Sequence, residues 1–296
     1  MVIASVIGTG RMGAWFATFL KENGYTVNVY DRNKRAAKSL SRKEHLRFVG
    51  NLNRATTEAQ LILLATPTRV TKRLLGQIQI NKGSNASIVE ISSIKTPITS
   101  TILRLQKKGT PILSIHPMFG AGAKNVANRV VLTTGIPINN RVAQQFLSLL
   151  KKKGAKLIQC SLREHDKLAS IILALPHFIN IVFVNSLMAI SANPDRMRTL
   201  AGTTFKMQLL LAEAIYQEGR ENELSILLDN TYSLGTLRKL AKETTTLLDA
   251  ISKRNTRTLI KSLERGHKYL KKEKAFSTSY SRFNSAVEAS NRHQVR

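Results

Sequence analysis

Short apolar runs alternate with amphipathic stretches over the first half of the chain. Apolar runs of strand length occupy residues 2–7, 26–30, 61–65, 86–92 and 112–116, with a weaker run at 46–49 and further ones at 129–133 and 155–160. Helical patterns lie between them, at about 11–23, 69–78 and 139–153. This succession predicts an α/β domain of the Rossmann type, with a doubly wound, mostly parallel sheet.

The strand patterns stop after Cys160, and the rest of the chain is periodic at helical spacing. The predicted helical stretches are 164–190, 196–218, 223–255 and 256–276, with breaks near Asn193-Pro194 and Gly219. We therefore predict a nucleotide-binding domain at 1–162 and an all-α domain at 163–296. The apolar content of the second domain exceeds the needs of one short bundle, which indicates a homodimer formed through it. From about Ser277 the chain is rich in Ser and Asn, and we expect it to be frayed.

The apolar run 168–190 is long enough to raise the question of a membrane span. It contains Pro176, His177 and Asn180, which are costly in lipid. We therefore expect a buried or dimer-forming helix and no membrane. The first residues lead straight into a glycine loop without a basic segment or cleavage site. With Cys160 as the only cysteine, these features favour a cytoplasmic protein.

The charge is strongly positive, at a formal +28. Residues 1–162 carry 25 Lys/Arg against 5 Asp/Glu, and residues 163–296 carry 21 against 13. Such a balance attracts polyanions, so a basic nucleotide- or nucleic-acid-binding protein is one hypothesis. The basic residues are dispersed, however, and no aromatic side chains are interleaved with them. This dispersal favours a solvated basic surface over a nucleic-acid partner.

A glycine loop, Gly8-Thr9-Gly10-Arg11-Met12-Gly13, links the first predicted strand to the first helix. Gly8 permits a tight turn, Gly10 lets a pyrophosphate approach the backbone, and Gly13 lets the helix pack on the strand. The helix N-terminus offers N–H donors to phosphate. In this strand–helix–strand context the loop predicts a dinucleotide site.

Two further segments belong to that predicted site. Asp31 ends the second strand, where a carboxylate binds the ribose 2′-hydroxyl, which favours NAD. Arg32 and the basic residues after it could hold a 2′-phosphate, so NADP stays open. Thr66-Pro67 ends the 61–65 strand and should pass beneath the cofactor.

His116 is the strongest candidate for a catalytic group. It ends the 112–116 strand, since Pro117 has no N–H for the ladder. Ser93 and Lys95 follow the neighbouring strand, and Thr96 is a predicted N-cap for the next helix. Ligands in open α/β sheets bind at the carboxyl ends of strands, and imidazole has an intrinsic pKa near neutral. We therefore expect a base at this edge; no metal-ligand pattern suggests a metal site.

At these residues the chain resembles the prephenate/arogenate dehydrogenases of tyrosine biosynthesis. The resemblance rests on the glycine loop, Ser93-Ile94-Lys95, His116-Pro117-Met118-Phe119-Gly120, and Glu164-His165-Asp166 followed by Leu175-Pro176-His177. The motifs occur in the family's order and cover both predicted domains. The His-Pro-Met-Phe-Gly segment is the most specific of them.

The resemblance implies an oxidative decarboxylation of prephenate to 4-hydroxyphenylpyruvate, with hydride transfer to NAD or NADP. His116 would take the proton of the ring hydroxyl, Ser93 would hold that hydroxyl in register, and Lys95 would place positive charge beside substrate or cofactor. His177 would lie near the nicotinamide. A base within reach of the alcohol is also what hydride loss requires.

The side of the site that binds carboxylates departs from the family. Lys206, after Phe205, matches the family's aromatic-plus-basic pair. Leu210 stands where many members carry an arginine, and Met207 where an acid often follows the lysine. Arg196 or Arg198 could compensate. Arogenate, or another small carboxylate, therefore stays an alternative substrate.

Overall fold

A computed structural model describes residues 2–78, 80, 86–134 and 139–292. Within those residues one sheet contains eight strands: β1 Ile3–Ile7, β2 Thr26–Tyr30, β3 Arg47–Phe48, β4 Leu61–Leu64, β5 Ser87–Glu90, β6 Ile112–Pro117, β7 Val130–Thr134 and β8 Lys156–Cys160. The helices of the first half are α1 Arg11–Glu22, α2 Lys34–Lys43, α3 Leu52–Thr57, α4 Thr68–Gln77, α5 Thr96–Lys107 and α6 Arg141–Lys152.

The described elements after β8 are all helical. They are α7 Leu162–Ala169, α8 Leu175–Ala189, α9 Pro194–Leu200, α10 Thr203–Tyr216, α11 Arg220–Leu224, α12 Ser233–Ser252, α13 Thr256–Leu270 and α14 Ser279–Arg292. A π-helical turn, Ser170–Ala174, interrupts the helix predicted over 164–190. It lies just before Pro176, which has no N–H to donate and whose ring would clash with the carbonyl four residues earlier in an uninterrupted α-helix.

The strand order is β3-β2-β1-β4-β5-β6-β7-β8, and every pair is parallel except β6 with β7. The predicted doubly wound, mostly parallel sheet is therefore confirmed. Because β1, β4, β5 and β6 are parallel neighbours, their carboxyl ends share one edge. Three interstrand spacings, about 14 Å, separate the ends of β1 and β6 along that edge.

Apolar side chains fill both faces of the sheet. Leu61 and Leu63 of β4 face a cluster that includes Phe16 of α1 and Phe146 of α6. The other two residues of β4, Ile62 and Leu64, face a second cluster that includes side chains of α3, α4 and α5. This alternation follows from the period of two in a strand, and it explains why the central strands are apolar throughout.

β6 differs from its prediction because it includes Pro117. Pro117 pairs with Val131 and His116 with Leu132 in the antiparallel ladder with β7. Met118 supplies the next N–H, to the carbonyl of Val130 at 2.9 Å. In a strand, successive N–H groups point to opposite sides, so the missing N–H of Pro117 falls on the side of β5, where pairing ends at Ser114.

The chain forms two compact units that differ from the predicted domains 1–162 and 163–296. The sheet unit comprises Met1–Ile172 with Glu221–Ser233, and the helical unit comprises Leu173–Arg220 with Leu234–Arg296. Helix α7 thus belongs with the sheet, because Asp166 binds the start of α5. The expected fraying from Ser277 is wrong, since α14 is helical to Arg292.

One helical stretch in the described chain, Leu162–Ala189, has the length and composition of a membrane span, with a mean hydropathy of 1.9. Only 17% of its most apolar window is buried within the single chain. It is therefore not the fully buried core helix that was one expectation. Its first part is nevertheless fixed to the start of α5, because the buried Asp166 carboxylate accepts from the Lys95 N–H.

Candidate functional site

The glycine loop is tightly built around two of its three glycines. Gly8 has φ +98°, and a Cβ there would lie 2.3 Å from the carbonyl oxygen of Ala65. A Cβ on Gly13 would lie 1.9 Å from the carbonyl oxygen of Gly8. Gly10 is different, because a Cβ there would meet nothing within 4 Å. Gly8 and Gly13 therefore shape the turn, while Gly10 faces open space.

That open space suits a phosphate group. Helix α1 begins at Arg11, its N-cap is Gly10 without a side-chain cap, and its first turn contains no acidic residue. The helix N-terminus therefore presents the backbone N–H groups of a first turn and the positive end of the helix dipole, which attract an anion. Thr9 and Met12 complete the loop, and Met12 packs against the sheet core. These features fit the pyrophosphate of a dinucleotide.

Asp31 follows β2 and closes over the loop. Its carboxylate accepts hydrogen bonds from the Thr9 backbone N–H at 2.7 Å, the Thr9 hydroxyl at 3.1 Å and the Asn33 N–H at 2.8 Å. A carboxylate offers about four acceptor positions, which leaves room for a ribose hydroxyl. Arg32 is exposed beside it, so a 2′-phosphate would also find a cation.

The end of β4 abuts the glycine loop. The Thr66 methyl group is 2.8 Å from where a Cβ of Gly8 would be, and the Thr66 and Thr71 hydroxyls are 2.8 Å apart. Pro67 then caps α4. The structure therefore brings Thr66-Pro67 to the loop, on the edge where the sequence analysis expects it.

Lys95 is not at the surface of the site. It is fully buried, and its ammonium group donates to Glu90 at 2.6 Å and to the carbonyl of Ile115 at 2.7 Å. Burial lowers the pKa of Lys95, and the Glu90 carboxylate opposes that shift. The expectation of a charge facing substrate or cofactor is therefore corrected: Lys95 holds the peptide that leads into His116.

Glu90 is the centre of this buried network. Besides Lys95, its carboxylate accepts from the Ser114 hydroxyl and from the Ser92 N–H at 2.9 Å. The Ser114 hydroxyl lies 2.6 Å from that of Thr134 on β7. A buried charge pair is tolerated only when its remaining hydrogen bonds are satisfied. The ends of β5, β6 and β7 are therefore fixed to one another.

Ser93 lies one residue beyond this network and is half-buried. Its hydroxyl has no hydrogen-bond partner within the described ranges, whereas Ser92 is buried. Ser93 is therefore placed at the edge of the sheet with a hydroxyl free for a ligand.

His116 is buried, with 5% of its surface exposed. Its Nδ1 lies 2.8 Å from Nε2 of His165, and Nδ1 of His165 lies 2.7 Å from Oδ1 of Asp166. Burial, followed by the nearby His165 and Lys95, lowers the pKa of His116 well below its ordinary 6.5. His116 is therefore neutral at pH 7, and its Nε2 has no partner among the described residues.

The Met118-Phe119-Gly120 segment after His116 packs on the cofactor helix. The rings of Phe119 and Trp15 are 5.1 Å apart, and Trp15 donates from Nε1 to the carbonyl of Ala123 at 2.7 Å. The exit from β6 is thereby fixed to α1.

The remaining predicted residues lie in the helical unit. His177 is buried on α8. Lys206 is half-buried on α10, next to Phe205, whose ring packs 5.7 Å from that of Phe183. Arg198 forms an ion pair with Glu213. The expected compensating role of Arg198 would therefore require its release from Glu213.

Two family models match consecutive parts of the chain. The nucleotide-binding domain of prephenate dehydrogenase matches residues 16–159, and the dimerization domain of prephenate dehydrogenase matches 161–265. The chain belongs to the prephenate dehydrogenase family. The matches leave out the glycine loop, whose geometry supports a nucleotide site independently.

Individual relatives agree with this assignment. The chain is 26% identical over 211 residues to a probable arogenate/prephenate dehydrogenase of Methanocaldococcus jannaschii, covering 71% of this chain and 47% of that protein. It spans about half the length of the curated relatives it matches.

Two solved structures share the fold. The prephenate dehydrogenase of Aquifex aeolicus, in complex with hydroxyphenyl propionate and NAD+, aligns with a TM-score of 0.68 at 15% identity, covering 90% of this chain and 96% of that one. Synechocystis arogenate dehydrogenase aligns with a TM-score of 0.61 at 19% identity, covering 91% and 99%.

Glu90, His165 and Asp166 had no predicted role in the site. His165 and Asp166 stood in a motif that carried the family resemblance, but their partners lie 49 and 70 residues away. Glu90 carried a weak signal, because it is an acid in an apolar strand followed by a lysine five residues later.

Proposed function

We propose that the chain catalyses the NAD(P)-dependent oxidative decarboxylation of prephenate, with arogenate as the alternative substrate. The observation that supports it most is His116. This neutral imidazole stands at the carboxyl end of β6 with an unengaged Nε2, on the sheet edge that also holds the glycine loop.

In this proposal His116 accepts the proton of the ring hydroxyl at Nε2, while the Ser93 hydroxyl holds the substrate oxygen. The bound nicotinamide supplies a hydride acceptor. The ring carboxylate then leaves as CO2, driven by formation of the aromatic ring. Lys95 does not touch the substrate; it holds the Ile115 carbonyl and so fixes the approach of His116.

The carboxylates of the substrate need cations, and Lys206 is the proposed one in the helical unit. Its ammonium group is a point donor and cannot replace the bidentate fork of the arginine that the family often carries where this chain has Leu210. Prephenate and arogenate share the ring and differ in a keto or an amino group on the side chain, so both remain candidates.

A homodimer formed through the helical unit is part of the proposal. The match to a dimerization domain supports it, as do the large apolar side chains left exposed there, including Met188, Ile190 and Leu263. Apolar patches of this kind mark interfaces.

Initial rates with prephenate and arogenate, each crossed with NAD and NADP, test the proposal. Reduced nicotinamide should appear with at least one of the four combinations. Because Asp31 repels a 2′-phosphate, we expect NAD to be preferred. The absence of turnover in all four, with protein that binds cofactor, would refute the proposed substrate class.

A further inference from the structure

Three buried side chains form a line that ends at the proposed base. His116, His165 and Asp166 have exposures of 5%, 0% and 1%, and the two links between them measure 2.8 and 2.7 Å. They come from β6 and α7, both in the sheet unit. An isolated buried histidine usually has a structural role, but this line has a defined direction.

Asp166 sets that direction. Its Oδ1 accepts from the Lys95 N–H at 2.8 Å, and its Oδ2 accepts from the N–H and the hydroxyl of Thr96, each at 2.5 Å. Burial raises the pKa of Asp166, but the hydrogen bonds from His165, Thr96 and Lys95 outweigh it and the net pKa is lowered. Asp166 is thus an ionised carboxylate that can only accept.

The roles of the ring nitrogens follow from the carboxylate. His165 must donate from Nδ1 to Asp166, so the Nε2 of neutral His165 can only accept. His116 must then donate from Nδ1 to His165, which leaves the lone pair of His116 on Nε2. The buried carboxylate therefore selects the tautomer in which the free nitrogen of His116 is basic.

The same contacts decide where a positive charge is best placed. Burial, His165 and the Lys95 ammonium all lower the pKa of His116. Burial and the Lys95 ammonium also lower the pKa of His165, but the hydrogen bond to Asp166 and the charges of Asp166 and Glu90 oppose that shift, and no such opposing group acts on His116. An extra proton is therefore better placed on His165, beside the carboxylate, than on His116.

We propose that His165 and Asp166 form a proton relay behind His116. Resting on the proposed function, the step is as follows: the hydroxyl proton of the substrate bonds to Nε2 of His116, and the Nδ1 proton of His116 passes to Nε2 of His165. The charge ends as a His165 imidazolium paired with Asp166. One proton enters the line and none leaves, and the hydride goes to the nicotinamide. His165 and Asp166 are positioning residues, since neither is assigned a contact with substrate.

Two substitutions of His165 separate relay from orientation. In His165→Gln the side-chain oxygen can still accept from Nδ1 of His116, so the tautomer is retained, but the amide cannot take a proton. In His165→Leu both functions are lost. The relay predicts that kcat falls about 100-fold in His165→Gln, the lower end of a general base's contribution, with KM values for substrate and cofactor unchanged. The acid limb of the pH profile of kcat should also shift in His165→Gln, because His116 alone then carries the added proton.

Histidine ¹⁵N NMR of the enzyme without substrate gives a readout independent of turnover. The signals of His116 are identified by their loss in His116→Asn. We expect the Nδ1–H tautomer of His116 in the wild type and in His165→Gln, and its loss in His165→Leu. An Nε2–H tautomer in the wild type would overturn the proposal, as would a His165→Gln enzyme with wild-type kcat and pH profile. Failure of all substrates would instead refute the proposed function, while the NMR result would stand.

Discussion

The sheet unit and the helical unit differ in which side chains they bury. In the sheet unit even a lysine and a glutamate are fully buried, and each is held by several hydrogen bonds. In the helical unit α13 buries none of its residues, and Leu263 is 75% exposed. The sheet unit thus buries even charged groups in its core, whereas the helical unit has a whole helix, α13, without a buried residue. Substitutions should therefore affect fold stability in the first and association in the second.

The largest stability effect is expected at the buried ion pair. Glu90→Gln leaves the Lys95 ammonium without a counter-charge at full burial, so the free energy of unfolding should fall by about 3–5 kcal/mol. Urea denaturation measures this loss. Glu58→Gln is the matched control, because Glu58 pairs with Arg54 and Arg47 at the surface, where ion pairs contribute little to stability, so its loss should be much smaller. Equal losses in the two variants would contradict the contrast.

The helical unit should respond through its oligomeric state. Ile260, Leu263 and Leu270 recur on one face of α13 at helical spacing and are all at least half exposed. Leu263→Glu should dissociate the proposed dimer while changing the unfolding free energy of the monomer by no more than about 0.5 kcal/mol. Sedimentation velocity reports the mass. Lys261→Gln, which alters the charge by the same amount, should leave the dimer intact; a wild-type mass for Leu263→Glu would exclude this face.

The glycine loop allows a smaller test within the sheet unit. Because a Cβ at Gly10 meets no protein atom, Gly10→Ala should keep the fold and raise the Kd for NAD about tenfold, a loss of about 1.4 kcal/mol. Fluorescence titration measures the Kd. Gly76→Ala, which also adds a Cβ in open space but on α4, should leave binding unchanged. Unaltered NAD binding in Gly10→Ala would place the cofactor elsewhere.

The smallest expected effect is in the pH profile. A base must be neutral to accept a proton, and burial holds the pKa of His116 below 6.5, with His165 and Lys95 acting in the same direction. Between pH 8 and 6.5 we therefore expect kcat/KM to lack a loss from protonation of this residue, with the acid limb below that range. The negative charges nearby are Asp166 and Glu90, which act against the lowering of the pKa of the neighbouring His165. A limb centred at or above 6.5 would contradict this environment.

Local pattern was enough to predict the sheet, the glycine loop and the shared strand edge. Strand periodicity and the turns at Gly8 and Gly13 depend only on residues that are close together in the sequence, so a local pattern is enough to predict them. The position of His116 followed from the same information, although Pro117 proved to be inside the strand.

The polar network behind His116 could not be predicted, because its links are distant in sequence. Asp166 caps α5 from another helix, whereas the sequence predicted that Thr96 would cap it. Lys95 was expected to face a ligand, since nothing local shows that Glu90 and the Ile115 carbonyl will enclose its ammonium group. The order of α14 was missed because its Ser and Asn residues suggested a frayed end.

The most direct test of His116 as the base is the turnover of His116→Asn. The asparagine amide can still donate to His165 but offers no basic nitrogen at the Nε2 position. We expect kcat with the accepted substrate to fall about 10²–10⁴-fold, with the Kd for cofactor unchanged. His45→Asn is the control, because His45 is exposed and has φ 51°, a conformation that asparagine tolerates well. A His116→Asn enzyme that turns over at nearly the wild-type rate would contradict the account.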